Sequence, residues 1–516
     1  MSDPPNMALA GDAADEAPAQ WPLELGAAAG LTLVALMLYF PFVGIPYFAD
    51  DYIYRMADPH RGLYRYFADS HDMAGFYRPL QMSWSAAHQV LCGDDTTLMQ
   101  AGQAALHGLL GGGLLVLMRR WGLPWGPALL AALWFVTHPI CVSGVLGNDT
   151  FGQIASTLCG CVAIALAFRH GAWCGGQSER GVRGAPLWCA LTLALSLLSK
   201  ESGLSHIGIV LLIVLYWAWR GGWPAARRLL PLGVACAVVL GGYFAWRTVA
   251  APLQSDWGGE GEYDLRLGLN VLVNEGLLLG AGLLPWSTAD VYFAFRAGAA
   301  KPLVAAGGVT AVWGAFLVWG LVRTRAGESM LGLTALAVCA GVPMVLMNHV
   351  SELHSYNLLP FLALLVALAV RGAFLHPRAG ARVAAAVVLL LVLSADVWAT
   401  VRKGRQMQRV GVAVGQMIPQ VVEQARKAPR DGRLLLVNQP RGRDLSYSVF
   451  LTRDFDGVEP AADWIRRLAQ RPDVGVQIMR SEYVDPNDIT LVREDTPGGA
   501  VVRRVRLNVM KQPAAR

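Results

Sequence analysis

The chain has 516 residues, of which 54% are hydrophobic and 16% charged, with a net charge of +6 and a mean hydropathy of +0.40. A soluble domain carries about 25% charged residues, so this composition excludes a soluble globular protein and predicts an integral membrane protein. The basic residues are scattered in short clusters between apolar runs, which gives no signal for nucleic-acid binding. The cysteines are irregularly spaced and form neither a metal-binding motif nor a dense disulfide framework.

Residues 1–20 are rich in Ala, Asp and Pro and are predicted to form a disordered tail. Residues 21–400 are predicted to form a transmembrane domain with two external loops, 47–97 and 247–302. Apolar runs recur along this region and predict about eleven transmembrane helices. The candidate spans are residues 23–46, 98–117, 121–137, 151–168, 187–198, 203–219, 229–246, 303–321, 331–347, 353–370 and 383–397.

The apolar segment 267–284 contains two asparagines and Glu275, and we predict that it lies in the interface or re-enters rather than crosses. The basic residues of the short loops then fall on one side, which the positive-inside rule assigns to the cytoplasm. The basic run 402–409 is an exception, because it follows the eleventh span and falls outside. A twelfth span would remove the exception, but it would place Glu352 on the side opposite Asp50.

Residues 401–516 are more charged and are predicted to form a small α/β domain on the external, periplasmic side. An amphipathic helix is predicted over 414–428. Alternating apolar residues predict short strands within 432–440, 474–479, 488–494 and 500–509.

Two adjacent carboxylates, Asp50 and Asp51, follow the first predicted span. On a helix they would point about 100° apart, so that one can face a cavity while the other binds a neighbouring group. A carboxylate in a water-filled cleft can act as a general base or as a metal ligand. A helix cap in a solvated turn is the alternative.

The next polar stretch holds Tyr77 and Arg78, directly before Pro79. The proline favours an extended conformation at Arg78. An arginine beside aromatic rings at the interface suits a phosphate, and an interfacial anchor is the alternative.

Four further candidates lie where predicted spans end or begin. His138 ends one span, and Asp149 precedes the next, where a plain helix cap is equally expected. Lys200 and Glu201 occupy a tight hairpin, in which they can pair with each other or Lys200 can bind a lipid phosphate.

The last polar stretch holds Glu352 and Tyr356 at the start of a span. His349 and His354 flank Glu352, but they are five residues apart and fit one helical face poorly. No metal ligands are therefore predicted here.

The ordered set of these stretches resembles the GT-C superfamily of polytopic glycosyltransferases. It comprises the acidic pair, "YRPL" at 77–80, "LHGLL" at 106–110, "HP" at 138–139 and "LLSKE" at 197–201, with Glu352, Tyr356 and Pro360 as a last box. The set is similar to bacterial relatives of protein O-mannosyltransferases and of the transmembrane, tetratricopeptide-containing mannosyltransferases. Two features depart from the latter: a small α/β tail replaces the repeat array, and Leu353 follows Glu352 where the family box has arginine.

The resemblance implies an all-α polytopic fold and an enzyme that uses a sugar linked to polyprenyl phosphate. It places the active site on the periplasmic face of a bacterial inner membrane and makes Asp50 the residue that activates the acceptor. The predicted catalytic residues are Asp50 and Asp51; the predicted substrate-binding residues are Tyr77, Arg78, His138, Asp149, Lys200, Glu201, Glu352 and Tyr356.

The predicted reaction is transfer of a hexose or pentose to a protein, glycan or lipid acceptor with inversion at the anomeric carbon. The predicted reaction requires no cofactor. Binding of a divalent metal by the two aspartates is an alternative that the sequence leaves open. One alternative is a lipid A or O-antigen modifying transferase, which shares the donor and differs in acceptor. A secondary transporter is the other, but it should carry paired repeats and polar residues near the membrane midplane.

Overall fold

The computed structural model describes residues 21–47, 51, 64–68, 77–178, 181–250, 266–296, 298–324, 327–347, 351–430, 432–437, 460–478, 490–495 and 501–506. The helices are α1 Trp21–Tyr39, α2 Arg65–Ala68, α3 Pro79–Cys92, α4 Thr97–Arg120, α5 Trp125–Thr137, α6 Cys141–Leu146, α7 Phe151–Cys174, α8 Ala185–Ser199, α9 Gly203–Ala250, α10 Leu269–Leu283, α11 Thr288–Arg296, α12 Ala300–Thr324, α13 Gly327–Val345, α14 Leu359–Phe374, α15 Ala379–Lys427 and α16 Pro460–Ala469. Two 3-10 helices cover Phe40–Phe42 and Glu352–Asn357. The strands are β1 Arg433–Val437, β2 Gly475–Ile478, β3 Thr490–Asp495 and β4 Val501–Arg506.

Each of the eleven predicted spans coincides with a helix. Six helices are at least 18 residues long and apolar enough to cross a membrane, and five shorter apolar helices accompany them. Helix α9 is broken at Gly222, whose φ of 64° is a conformation that glycine adopts readily, and its halves are the two spans predicted at 203–219 and 229–246. The prediction of an all-α polytopic membrane protein is confirmed, whereas the number of crossings stays a prediction.

The helices run up and down between two chemically different ends. At one end, here called the arginine end, the Arg120 guanidinium lies 2.7 Å from the Glu24 carboxylate, and Arg228 lies over the Trp173 ring. At the other, here called the carboxylate end, Asp51, Glu201 and Glu352 lie in the connections between helices. The sequence predicts that the basic loops and the loops with these carboxylates lie on opposite sides. In the structure they lie at opposite ends of the helical bundle.

Helix α10 lies beside the carboxylate end. Before it, the backbone N–H of Arg266 donates to the Leu346 carbonyl at 2.7 Å. Within it, the Asn274 amide donates to the Met347 carbonyl at 2.8 Å. After it, the Thr288 hydroxyl donates to Glu352 at 2.5 Å. Both flanks thus contact the segment between α13 and α14, and the location of 267–284 in the interface stays a prediction.

Helix α15 continues far beyond the predicted span. It has 49 residues, so the predicted domain boundary at 401 falls inside it and the helix predicted over 414–428 forms its last turns. The four predicted strands form one sheet in the order β2-β1-β3-β4. Strand β1 pairs with β2 in parallel and with β3 in antiparallel fashion, and the Arg426 guanidinium of α15 donates to the Leu468 carbonyl of α16 at 3.0 Å.

Glycines let α15 pack closely on the segment that follows α1. A Cβ atom added at Gly404 would lie 2.7 Å from the Phe42 ring, and one at Gly411 would lie 2.4 Å from Ile45. Both distances are too short for any other residue without a shift of the backbone or neighbours. Residues 42–46, which follow α1, are therefore held against the helix that leads to the tail.

Candidate active site

The Asp51 carboxylate is buried at the carboxylate end, with 2% of the residue exposed. Its Oδ1 accepts a hydrogen bond from the backbone N–H of Asn148 at 3.1 Å, and its Oδ2 accepts one from the Asn148 side-chain amide at 2.8 Å. Two N–H donors on one carboxyl group suit its ionised form. Asp50, the residue favoured as the base by the resemblance, lies outside the described residues.

Gln100 of α4 joins the two loops that carry these residues. Its Oε1 accepts hydrogen bonds from the backbone N–H groups of Gly44 and Ile45 at 2.8 and 3.1 Å. Its Nε2 lies 3.1 Å from the Leu146 carbonyl and 2.9 Å from Asn148 Oδ1. One fully buried side chain thus joins the backbone at Gly44 and Ile45 to the loop that holds Asn148.

Gln103 lies one turn further along α4, on the same face of the helix. Its Nε2 donates to the carbonyls of Val145 and Gly147 at 2.9 and 2.8 Å. The loop before Asp149 is therefore fastened at several backbone atoms, which limits the movement of the carboxylates that it positions.

Asp149 is half-buried and adjoins Asp51. Burial raises the pKa of the Asp149 carboxyl above its ordinary value, while the charges of Lys200 and Arg78 and a hydrogen bond with Asp51 oppose that rise. Two neighbouring carboxyl groups in different surroundings can divide a proton between them, one ionised and one protonated. The arrangement provides both a carboxylate and a nearby site for a proton.

Arg78 and Tyr77 meet Glu201 from the opposite side of the site. The Arg78 Nε donates to Glu201 Oε2 at 2.6 Å, and the backbone N–H of Tyr77 donates to Oε1 at 3.1 Å. The Tyr77 hydroxyl donates to the Phe67 carbonyl at 2.7 Å. The carboxylate partner of Arg78 is thus contributed by the hairpin that also carries Lys200.

A glycine brings the loop of Asp149 close to that hairpin. A Cβ atom added at Gly152 would lie 2.4 Å from the Ser199 carbonyl, so the start of α7 and the end of α8 approach in backbone contact. The Gly152 N–H also donates to the Gln81 side chain. The site is consequently built from four connections that are distant in the sequence, around residues 51, 78, 149 and 200.

Glu352 lies in a second polar cluster at the same end of the bundle. Its carboxylate accepts hydrogen bonds from the Thr288 hydroxyl and from the Lys403 ammonium of α15. Lys403 is 1% exposed, and its neighbour Arg402 lies 3.3 Å from Asp290. Glu352 therefore links the start of α11 and the 3-10 helix before α14 to α15.

His138 and Tyr356 are both fully buried. The His138 ring lies edge-on to Trp134, with 4.9 Å between ring centroids, and its Nε2 has no hydrogen-bond partner in the described part of the chain. The Tyr356 hydroxyl is 2.7 Å from Nδ1 of His107. These contacts place both side chains in the helix packing, and their predicted roles in substrate binding stay predictions.

The described residues contain no group of three or more His, Cys, Asp or Glu side chains arranged to hold a metal ion. A metal held by the acidic pair would need Asp50, which lies outside those residues. Metal binding by the two aspartates is therefore an open prediction.

Asn148, Gln100 and Gln103 were not among the site residues predicted from the sequence. A signal was present: Gln100, Gln103 and His107 recur at i, i+3 and i+7 within an apolar span. Such spacing places polar groups on one face of a membrane helix, and polar groups at that depth are functional candidates by default.

Neither the family models nor the curated proteins include a match to this chain. Among solved structures, the chain is similar to ArnT from Cupriavidus metallidurans in the apo state, with 16% identity over 88% of this chain and 90% of that chain, at a TM-score of 0.47. It is also similar to the arabinofuranosyltransferase AftD from Mycobacteria, with 15% identity over 87% of this chain and 33% of that one, at a TM-score of 0.46. A third similar structure is the archaeal oligosaccharyltransferase AglB from Archaeoglobus fulgidus, with 13% identity over 88% of this chain and 64% of that chain, at a TM-score of 0.39. All three TM-scores lie below 0.5.

Proposed function

We propose that this chain is a membrane glycosyltransferase of the GT-C type, which transfers a sugar from a polyprenyl-phosphate-linked donor to an acceptor hydroxyl. The observation that carries the proposal is the convergence of Asp51, Asp149, Arg78 and Lys200 from four separate connections at one end of the bundle. The reaction needs carboxylates for proton removal and cations for a lipid phosphate, and these four residues supply both.

The donor phosphate is proposed to lie against Arg78 and Lys200. A polyprenyl chain in the bilayer presents its phosphate at the level of the interface, where these residues precede α3 and α9. Glu201 holds Arg78 in place, and an arginine positioned in this way can bind two phosphate oxygens at once. Cations near the departing polyprenyl phosphate stabilise the charge that develops on it.

The acceptor hydroxyl is proposed to lose its proton to a carboxylate of the first connection. Asp50 takes this role by resemblance, while Asp51, fixed by Asn148, holds the connection in place. Asp149 offers a second carboxyl group that can receive a proton. Attack by the hydroxyl opposite the leaving phosphate inverts the anomeric carbon and requires no protein nucleophile.

The carboxylate end is proposed to face the periplasm of a bacterial inner membrane, together with the tail. The arginine end would then face the cytoplasm, as the positive-inside rule requires. The polar clusters lie at one end of the helices rather than at their middle, which favours a transferase over a transporter.

The proposal is tested in cells that contain or lack the protein. Mass spectra of the glycolipid, lipid A, O-antigen and glycoprotein fractions should show a sugar increment that depends on the chain, and the fraction that carries it identifies the acceptor. Polyprenyl-phosphate-linked sugar should accumulate when the chain is absent. Identical spectra for every fraction and for the lipid-linked sugars would contradict the proposal.

A further inference from the structure

The basic run 402–409 lies at the carboxylate end, against the charge bias of the other connections. Part of the run has internal partners: Arg402 lies 3.3 Å from Asp290, and the Lys403 ammonium binds Glu352. Arg405 differs, because no carboxylate pairs with it in the described part of the chain. Arg405 is exposed, so its charge is available to a ligand outside the protein.

Arg405 lines a groove of about 340 Å³ between α15 and the end of α1. Val401, Arg405 and Gln408 form one wall, and their spacing of four and three residues places them on one face of α15. The opposite wall is apolar and includes Met37 and Leu38 of α1. The groove thus combines a hydrocarbon wall with a guanidinium and an amide.

The surroundings of the groove are apolar and exposed, as expected of a surface that faces lipid. Met37 is 68% exposed, and Trp398, one turn before Arg402 on α15, is 49% exposed. Arg405 lies eight residues, about 12 Å along the helix, beyond the end of the predicted span of α15 at 397. At that level a lipid places its phosphate beside the protein while its chains extend along the helices.

We propose that this groove binds an anionic glycerophospholipid. One acyl chain lies along Met37 and Leu38, and the phosphate accepts hydrogen bonds from Arg405 and Gln408. A bilayer phospholipid fits better than the polyprenyl donor, since the donor's proposed cations, Arg78 and Lys200, belong to a different cluster. The site is independent of the proposed reaction, because occupancy is measured without any transfer.

The test uses the full chain in nanodiscs that contain a trace of phosphatidylglycerol or phosphatidylcholine with a photoactivatable acyl chain. The readout is the share of cross-links in peptides that cover residues 37–42 and 401–408. A nearby basic residue favours an anionic lipid by about fivefold, so phosphatidylglycerol should label the groove about fivefold more than phosphatidylcholine. Arg405→Gln should abolish the difference, and Arg405→Lys should retain most of it.

Two further variants make the result specific. Arg430→Gln removes the same charge from the exposed turn that follows α15 and should leave labelling unchanged, whereas Met37→Trp should fill the groove and reduce labelling by both lipids. Equal labelling by the two lipids, or unchanged labelling in Arg405→Gln, would overturn the proposal. Displacement of the label by undecaprenyl phosphate at far lower concentrations than unlabelled phosphatidylglycerol would also overturn it, by assigning the groove to a polyprenyl lipid.

Discussion

At the scale of single residues, the acidic pair divides into two different tasks. Asp51 is buried and accepts two hydrogen bonds from Asn148, so Asp51→Asn would set an amide N–H against donor groups. A buried donor without a partner costs about 1–3 kcal/mol, and we expect Asp51→Asn to lower the melting temperature of the purified protein.

Asp50→Asn should leave the melting temperature unchanged and abolish transfer, because a general base contributes about 10²- to 10⁴-fold.

Asp50→Asn and Asp51→Asn are compared in cells in which the fraction that contains the acceptor has been identified. Melting curves in detergent report the structural effect, and the sugar increment reports transfer. If Asp50→Asn transfers sugar as well as the wild type, Asp50 is not the general base, and Asp51 or Asp149 has that role.

Gln100 is expected to position the site without touching substrate. Its side chain contacts both the segment before Asp51 and the Asn148 loop, so Gln100→Leu should leave several polar groups unpaired. We expect a loss of about 2 kcal/mol or more in unfolding free energy together with reduced transfer. The matched control is Gln420→Leu, since the Gln420 amide donates to the Gln416 carbonyl one turn earlier in its own helix; equal stability of the two variants would contradict this role.

At the scale of elements, the close packing of α15 on the segment after α1 has a clear test. A Cβ atom at Gly411 would lie 2.4 Å from Ile45, whereas one at Gly380 of the same helix has nothing within 4 Å. Gly411→Ala should therefore destabilise the protein by about 1–3 kcal/mol, while Gly380→Ala should be neutral or stabilise it by up to about 1 kcal/mol. Chemical denaturation in detergent measures both, and a neutral Gly411→Ala would show that α15 does not dock on this segment.

Helices were the most predictable elements, because an apolar run long enough to cross a bilayer must satisfy its own backbone hydrogen bonds. All eleven candidate spans coincide with helices for that reason. The four strands of the tail were likewise visible as alternating apolar residues. The continuation of α15 was not, since the change to a charged composition near 401 resembles a linker although the helix persists.

Contacts between distant connections were harder to predict. The sequence left open a pair between the adjacent Lys200 and Glu201, whereas Glu201 contacts Arg78, 123 residues away. Spacing along the chain carries no information about such a partner. The arrangement follows from backbone approaches such as that at Gly152, which only the folded bundle creates.

At the scale of the whole molecule, the sorting of charges predicts the orientation in the membrane. The arginine end should face the cytoplasm, and the carboxylate end and the tail should face the periplasm. A reporter that is active only in the periplasm, fused after Arg516, should be active. Activity of a cytoplasmic reporter at the same position would instead mean that 267–284 crosses, although both flanks of α10 contact the carboxylate end.

The converged cluster is proposed to bind a lipid-linked phosphate, and the affinity of the purified protein for undecaprenyl phosphate is the decisive measurement. Each charge-assisted contact contributes about 1.5–3 kcal/mol, so Arg78→Ala and Lys200→Ala should each raise the dissociation constant by about 10- to 100-fold. Arg78→Lys should restore only part of the affinity, because the fork of the guanidinium is lost. Arg323→Ala, at the arginine end, serves as the control and should bind like the wild type. Wild-type affinity in both Arg78→Ala and Lys200→Ala would show that Arg78 and Lys200 form only internal ion pairs and that the phosphate binds elsewhere.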